Sequence, residues 1–138
     1  MNIVNFPILV VDDDSDDRYL IHKAFQEINA ANQLKIIDSV KQMIQFLTQL
    51  PEINYPLLIL LDYHMPGMNG EEALTYLKSD KKFCSIPVAL YSTEMTAALS
   101  QKLQSLGAVG CYKKAVTVAQ NKSLAQSLLA MLEHSIAA

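Results

Sequence analysis

The sequence predicts a doubly wound α/β fold, a parallel sheet covered by helices on both faces, on three observations. Short unbroken apolar runs stand at Ile8–Val11, Leu57–Leu61 and Val88–Tyr91, each the length of a strand buried on both faces. Segments with apolar residues at helical spacing lie between them. Strand-like and helical segments alternate five times along the chain, which favours parallel pairing through right-handed crossovers.

Each element has its own signal. After Ile8-Leu9-Val10-Val11 comes an acidic run, Asp12-Asp13-Asp14-Ser15-Asp16-Asp17, and then a helix marked by Ile21, Ala24, Phe25 and Ile28. Leu34–Ile37 reads as a weaker strand, and Lys35 within it suggests an edge. Val40, Met43, Ile44 and Leu47 repeat the helical template before the strand at Leu57–Leu61. Asn69 is placed to cap a short helix bearing Ala73, Leu74 and Leu77. Beyond Val88–Tyr91, a helix beginning near Glu94 carries Met95, Ala98, Leu99 and Leu106, and Ser92 or Thr93 could cap it. A short strand at Val109–Lys113 follows Gly107, and Leu124, Leu128 and Leu132 mark the C-terminal helix.

The 138 residues, 51% of them apolar, suit one domain with its own core over about 7–135, after a short lead-in. No linker, repeat or second module is expected. A net charge of −3 argues against nucleic-acid or anionic-lipid surfaces. The apolar stretch from Ile3 to Val11 is too short for a membrane span and is interrupted by Asn5 and Pro7. Cys84 and Cys111 stand singly, without metal-ligand spacing, and are expected as reduced, buried thiols of a cytoplasmic protein.

In such a sheet, ligands bind outside the carboxyl ends of the strands. Those ends carry Asp12-Asp13, Asp62, Ser92-Thr93 and Lys113-Lys114. Converging carboxylates repel one another, and a divalent cation relieves the repulsion. The donor set is all oxygen, which suits Mg²⁺ bound by carboxylates, water and a phosphoryl oxygen. One carboxylate could then attack phosphorus, while a hydroxyl and an ammonium position and neutralise the transferred group. Asp14–Asp17 reads instead as a solvated helix start, with Asp14 or Ser15 as the cap. His22 and His134 are expected on helix surfaces, and the ring of His64 is not expected to bind metal.

Over about Ile8 to Leu132 the sequence resembles the receiver domain of two-component response regulators, of the stand-alone chemotaxis type. The marks are the run closing in Asp12-Asp13, the block Leu61-Asp62-Tyr63-His64-Met65-Pro66-Gly67-Met68-Asn69-Gly70, the stretch Pro87–Ser92, and Gly107-Ala108 leading to Lys114. The resemblance implies a flavodoxin-like (βα)5 sandwich with strand order 2-1-3-4-5. It implies Asp62 as phosphoacceptor, and Mg²⁺ held by Asp12, Asp13, Asp62 and the backbone carbonyl of His64, with Asp13 the more direct of the acidic pair. Ser92 and Lys114 would bind the phosphoryl group. The donor would be a phosphohistidine on a sensor kinase or phosphotransfer protein, and output would pass through a protein target, onward relay or dimerisation. Such a protein is a self-phosphorylating switch with slow autodephosphorylation rather than an enzyme.

Two positions depart from the family. Ala115 follows Lys114 where receivers have proline, so either a cis bond costing about 2.5–4 kcal/mol or a reshaped trans loop must aim Lys114 inward. Cys111 occupies the place of the usual switch aromatic on the last strand, with Tyr112 facing the other way. Two rivals remain in view: a receiver-like interaction module without phosphorylation, and a small phosphatase with Asp12 as nucleophile and Asp14 as acid/base.

Overall fold

The computed structural model describes residues 6–137, with side chains through residue 133. Five strands form one sheet: β1 (Ile8–Val11), β2 (Leu34–Ile37), β3 (Leu58–Asp62), β4 (Val88–Ser92) and β5 (Gly110–Lys113). All neighbours pair in parallel, in the order β2-β1-β3-β4-β5. The helices are α1 (Ser15–Glu27), α2 (Val40–Gln49), α3 (Gly70–Ser79), α4 (Ala97–Ser105) and α5 (Val118–Ala137). Among the described residues, no helix is long and apolar enough to cross a membrane.

Strand alternation divides the core in two. Leu9, Val11, Ile59, Leu61, Val88 and Leu90 point to the face covered by α2, α3 and α4, where they meet Met43, Leu47, Leu74, Leu77 and Leu103. Ile8, Val10, Leu58, Leu60, Ala89 and Tyr91 point to the other face, against Ile21 and Phe25 of α1 and Leu124, Ala125 and Leu128 of α5. Burial on both sides accounts for the unbroken apolar runs of the three central strands. The edge strands β2 and β5 are mostly half-buried.

Helix starts follow cap chemistry. Asp14 caps α1, its carboxylate accepting from the N–H groups of Asp16 and Asp17, and Ser39 caps α2. Asn69 and Glu72 form a reciprocal capping box on α3, satisfying two otherwise orphaned donors.

The structure corrects several local readings. Leu57 lies just outside β3. The fourth helix starts at Ala97, later than Glu94, and its cap is Thr96, not Ser92 or Thr93. Met95 therefore precedes the helix, and Leu106 closes it as the C-cap. Cys84 is exposed and Cys111 half-buried, so neither is the buried thiol expected. His22 is exposed on α1, whereas His134 and the lead-in residues 1–5 lie outside the described side chains.

Candidate functional site

The carboxyl ends of β1, β3 and β4 and the loop after β5 meet at one edge of the sheet. Asp12 follows β1 directly, and its backbone is fixed on both sides: its N–H donates to Ile37 O at 3.1 Å, and Arg18 Nη1 donates to its carbonyl at 2.9 Å. Its carboxylate is buried. Oδ1 accepts the Asp14 N–H at 2.9 Å, while Oδ2 accepts from the Tyr91 hydroxyl and pairs with Lys114 Nζ at 3.1 Å. Asp62 is the last residue of β3, in register with Tyr91 of β4. Its Oδ1 accepts the His64 N–H at 3.1 Å and pairs with Lys114 at 3.0 Å.

Asp12, Asp13 and Asp62 each offer an oxygen within 4.8 Å of the others, with Asp12 and Asp62 buried and Asp13 exposed. An all-oxygen set of this size suits a hard cation such as Mg²⁺. The charge balance points the same way. Burial pushes the Asp62 carboxyl from its ordinary 3.8 up to about 7, and the neighbouring Asp12 adds to the rise against the pull of Lys114 and of the His64 N–H. Burial first and Asp12 second thus disfavour the charged form of this carboxylate, and a bound cation would favour it.

Lys114 is drawn in from the loop after β5. Its N–H donates to Ser92 O at 2.9 Å, which ties that loop to the end of β4. No peptide bond among the described residues is cis, so the Lys114–Ala115 bond is trans and the loop reaches inward without a proline. Burial by itself lowers the Lys114 ammonium, but Asp17, Asp12 and Asp62 outweigh it and hold the group above the ordinary lysine range. Lys113, by contrast, is exposed. Ser92 is fully buried, and its Oγ accepts the Glu94 N–H at 3.2 Å. His64 is exposed beside the site, its ring edge-on to Tyr63 at 4.9 Å.

Two residues of this cluster were not singled out as site residues from sequence. Asp17, read as part of a solvated helix start, places Oδ2 2.7 Å from Lys114 Nζ. Tyr91, read as a core strand residue, donates to Asp12 and lies beneath Lys114, whose Nζ is 4.8 Å from the ring centre. A tyrosine inside a doubly buried strand needs a buried partner for its hydroxyl, and that requirement was the available signal. Asp17 left only a weaker one, its place in the first turn of the helix that leaves the acidic strand end.

The family model described as the response regulator receiver domain matches residues 8–126. This chain belongs to that family. Two-component response regulator ARR5 of Arabidopsis thaliana is 31% identical over 130 residues, covering 88% of this chain and 70% of the relative. The receiver spans a smaller share, 56% and 57%, of the related regulators ARR8 and ARR9 of the same plant. A two-component response regulator of Legionella pneumophila has a solved structure 28% identical to this receiver, with a TM-score of 0.72 over 91% of this chain and 98% of that one. The phosphorylated cyanobacterial phytochrome response regulator RcpA is 25% identical, with a TM-score of 0.74 over 88% and 89%.

Within the receiver fold the phosphatase alternative is not favoured. The exposed Asp14 carboxylate serves as the cap of α1, its Oδ1 accepting the N–H groups of Asp16 and Asp17. On β5, Cys111 and Tyr112 point to opposite faces of the sheet. Cys111 packs toward α4, its Sγ 3.8 Å from Ser100 O, whereas Tyr112 faces α5 and reaches Met131 Sδ at 3.4 Å.

Proposed function

We propose that this receiver accepts a phosphoryl group on Asp62 from a partner phosphohistidine. The observation that carries the reading is the convergence of Lys114 Nζ on Asp62 and Asp12 at 3.0 and 3.1 Å, beside the three-carboxylate cluster. An Asp62 carboxylate oxygen attacks phosphorus as the P–N bond to the donor imidazole breaks, and the departing imidazole nitrogen takes up a proton. Lys114 donates to a phosphoryl oxygen, and the Ser92 hydroxyl is the second donor from the chain.

Asp12, Asp13, Asp62 and the His64 carbonyl would hold Mg²⁺, whose contribution is to neutralise charge on the phosphoryl oxygens. Asp13 suits direct contact, because it is exposed while both Asp12 oxygens already accept hydrogen bonds. The donor is a sensor histidine kinase or phosphotransfer protein, and output passes through a protein partner in the cytoplasm. Slow loss of the phosphoryl group by hydrolysis resets the switch. The names of the regulators to which the chain is similar support the two-component setting.

The test is intact mass after incubation with acetyl phosphate, with and without Mg²⁺, for the parent and Asp62→Asn. A phosphoryl-sized gain that requires both Mg²⁺ and Asp62 is expected. A gain that survives Asp62→Asn would remove Asp62 from the role. No gain in the parent, from acetyl phosphate or from a purified phosphohistidine donor, would leave a binding module without phosphorylation.

A further inference from the structure

Lys114 has three donor hydrogens and three carboxylate partners: Asp17 at 2.7 Å, Asp62 at 3.0 Å and Asp12 at 3.1 Å. Its side chain is 8% exposed, so water satisfies little of the ammonium. Asp12 and Asp62 belong to the cluster able to bind a cation, and Asp17 does not. Asp17 is also the shortest of the three contacts and comes from a different element, the first turn of α1, reaching a lysine 97 residues away.

We infer that Asp17 is a positioning residue, a fixed tether that keeps Lys114 aimed at the phosphoryl site while the other two carboxylates change partners. The inference rests on the reading of Lys114 as a phosphoryl donor group. With a cation held at the acidic cluster and an Asp62 oxygen bonded to phosphorus as an acyl phosphate, two donors of Lys114 would be free for phosphoryl oxygens. The third remains on Asp17, which neither event consumes. The tether also accounts for how a trans loop with alanine after the lysine directs the side chain inward: the backbone is anchored at Ser92 O and the ammonium at Asp17.

The sign of the effect separates tethering from simple charge. Deleting a nearby carboxylate should strengthen the binding of an anion by reducing repulsion, whereas loss of a tether weakens it. Asp16, one residue away and exposed, removes the same charge without touching Lys114 and is the control.

Beryllofluoride, a phosphoryl mimic, is titrated with saturating Mg²⁺ into the parent, Asp17→Ala, Asp16→Ala, Lys114→Met and the Asp17→Ala/Lys114→Met double variant, with fluorine NMR as readout. Asp17→Ala should weaken binding about tenfold, the scale of one charge-assisted hydrogen bond. Asp16→Ala should leave it within about twofold, as expected of an exposed charge. In the Lys114→Met background the Asp17 substitution should have no further effect, which a general loss of structure would not reproduce. Urea midpoints identify any variant that fails to fold, and Asp17→Asn then takes its place, with the same direction expected.

Unchanged or tighter binding in Asp17→Ala, or an equal loss in the Lys114→Met background, overturns the tether while leaving the site reading intact. If the parent does not bind beryllofluoride, or if Lys114→Met binds as well as the parent, the reading of Lys114 fails and the tether fails with it.

Discussion

The hydroxyl of Tyr91 donates to the carboxylate of Asp12 across 79 residues of chain, joining the end of β4 to the end of β1 inside the sheet edge. Burial, reinforced by Asp12, raises the Tyr91 phenol well above its ordinary value, so it remains a donor at every working pH. Tyr91→Phe keeps the ring beneath Lys114 and removes only this hydrogen bond. A bond to a charged group contributes roughly 1.5–3 kcal/mol, and the metal-free protein should lose about that much stability. In saturating Mg²⁺ the deficit should shrink, because the cation takes over part of the compensation of Asp12. Urea unfolding with and without Mg²⁺ measures both, and an unchanged midpoint in the metal-free protein would show that the bond contributes nothing.

Cation binding should be coupled to pH through Asp62. Its carboxyl titrates at about 7 in the folded protein against an ordinary 3.8, because burial and Asp12 disfavour the charge. The protonated form therefore stabilises the metal-free fold below about pH 4, and that contribution is lost as pH rises to about 7. Mg²⁺ competes with this proton, so apparent Mg²⁺ affinity should climb between pH 5 and 7 with a slope approaching tenfold per unit and then level off. Calorimetry in buffers of different ionisation enthalpy should register proton release on binding. Asp62→Asn should flatten the pH dependence; a flat profile in the parent would assign the surplus charge elsewhere.

Much of this was legible in advance for identifiable reasons. The central strands are buried on both faces, so their sequences are continuous apolar runs that no amphipathic helix imitates. The strand ends name the carboxylates, because polar groups at the mouth of such a sheet have nowhere else to go. The start of α4 was misplaced because Ser92, Thr93 and Thr96 all have cap chemistry and the helix buries only Leu103. The Asp17–Lys114 pair was invisible because it depends on how α1 and the loop after β5 meet in space, and local periodicity carries no record of that. Cys84 is exposed in a turn and Cys111 half-buried on an edge strand, places that override the general tendency of free cysteine to be buried.

The capping box of α3 lies between the Asp62 loop and the helix behind it. The Asn69 side chain accepts the Glu72 N–H at 2.9 Å, and the Glu72 carboxylate accepts the Asn69 N–H at 3.2 Å. Asn69→Ala removes the side-chain acceptor and should cost about 0.5–2 kcal/mol in stability. Hydrogen exchange of the first-turn amides of α3 should speed up selectively. Protection unchanged at Glu72 would mean that the box does not hold the turn.

Gly70 is the most sensitive position behind the acceptor. A Cβ there would stand 2.7 Å from Tyr63 Cα, 2.8 Å from Leu90 Cδ2 and 2.9 Å from Asp62 O. Two of those atoms are backbone, at the last residue of β3 and the one after it, and Gly70 N–H donates to Tyr63 O at 2.8 Å, so neither side can yield without moving Asp62. Gly70→Ala should therefore lower stability by at least about 1–3 kcal/mol, the range for overpacking, and weaken Mg²⁺ binding as well. Gly67 provides the contrast. Its Cβ would meet nothing within 4 Å, but its φ of +84° disfavours a side chain. Gly67→Ala should cost about 1–2 kcal/mol of stability and leave Mg²⁺ affinity unchanged. Parallel urea and Mg²⁺ titrations of the two variants decide the matter: if both lose stability but neither loses metal affinity, the position of Asp62 does not depend on the close approach of α3.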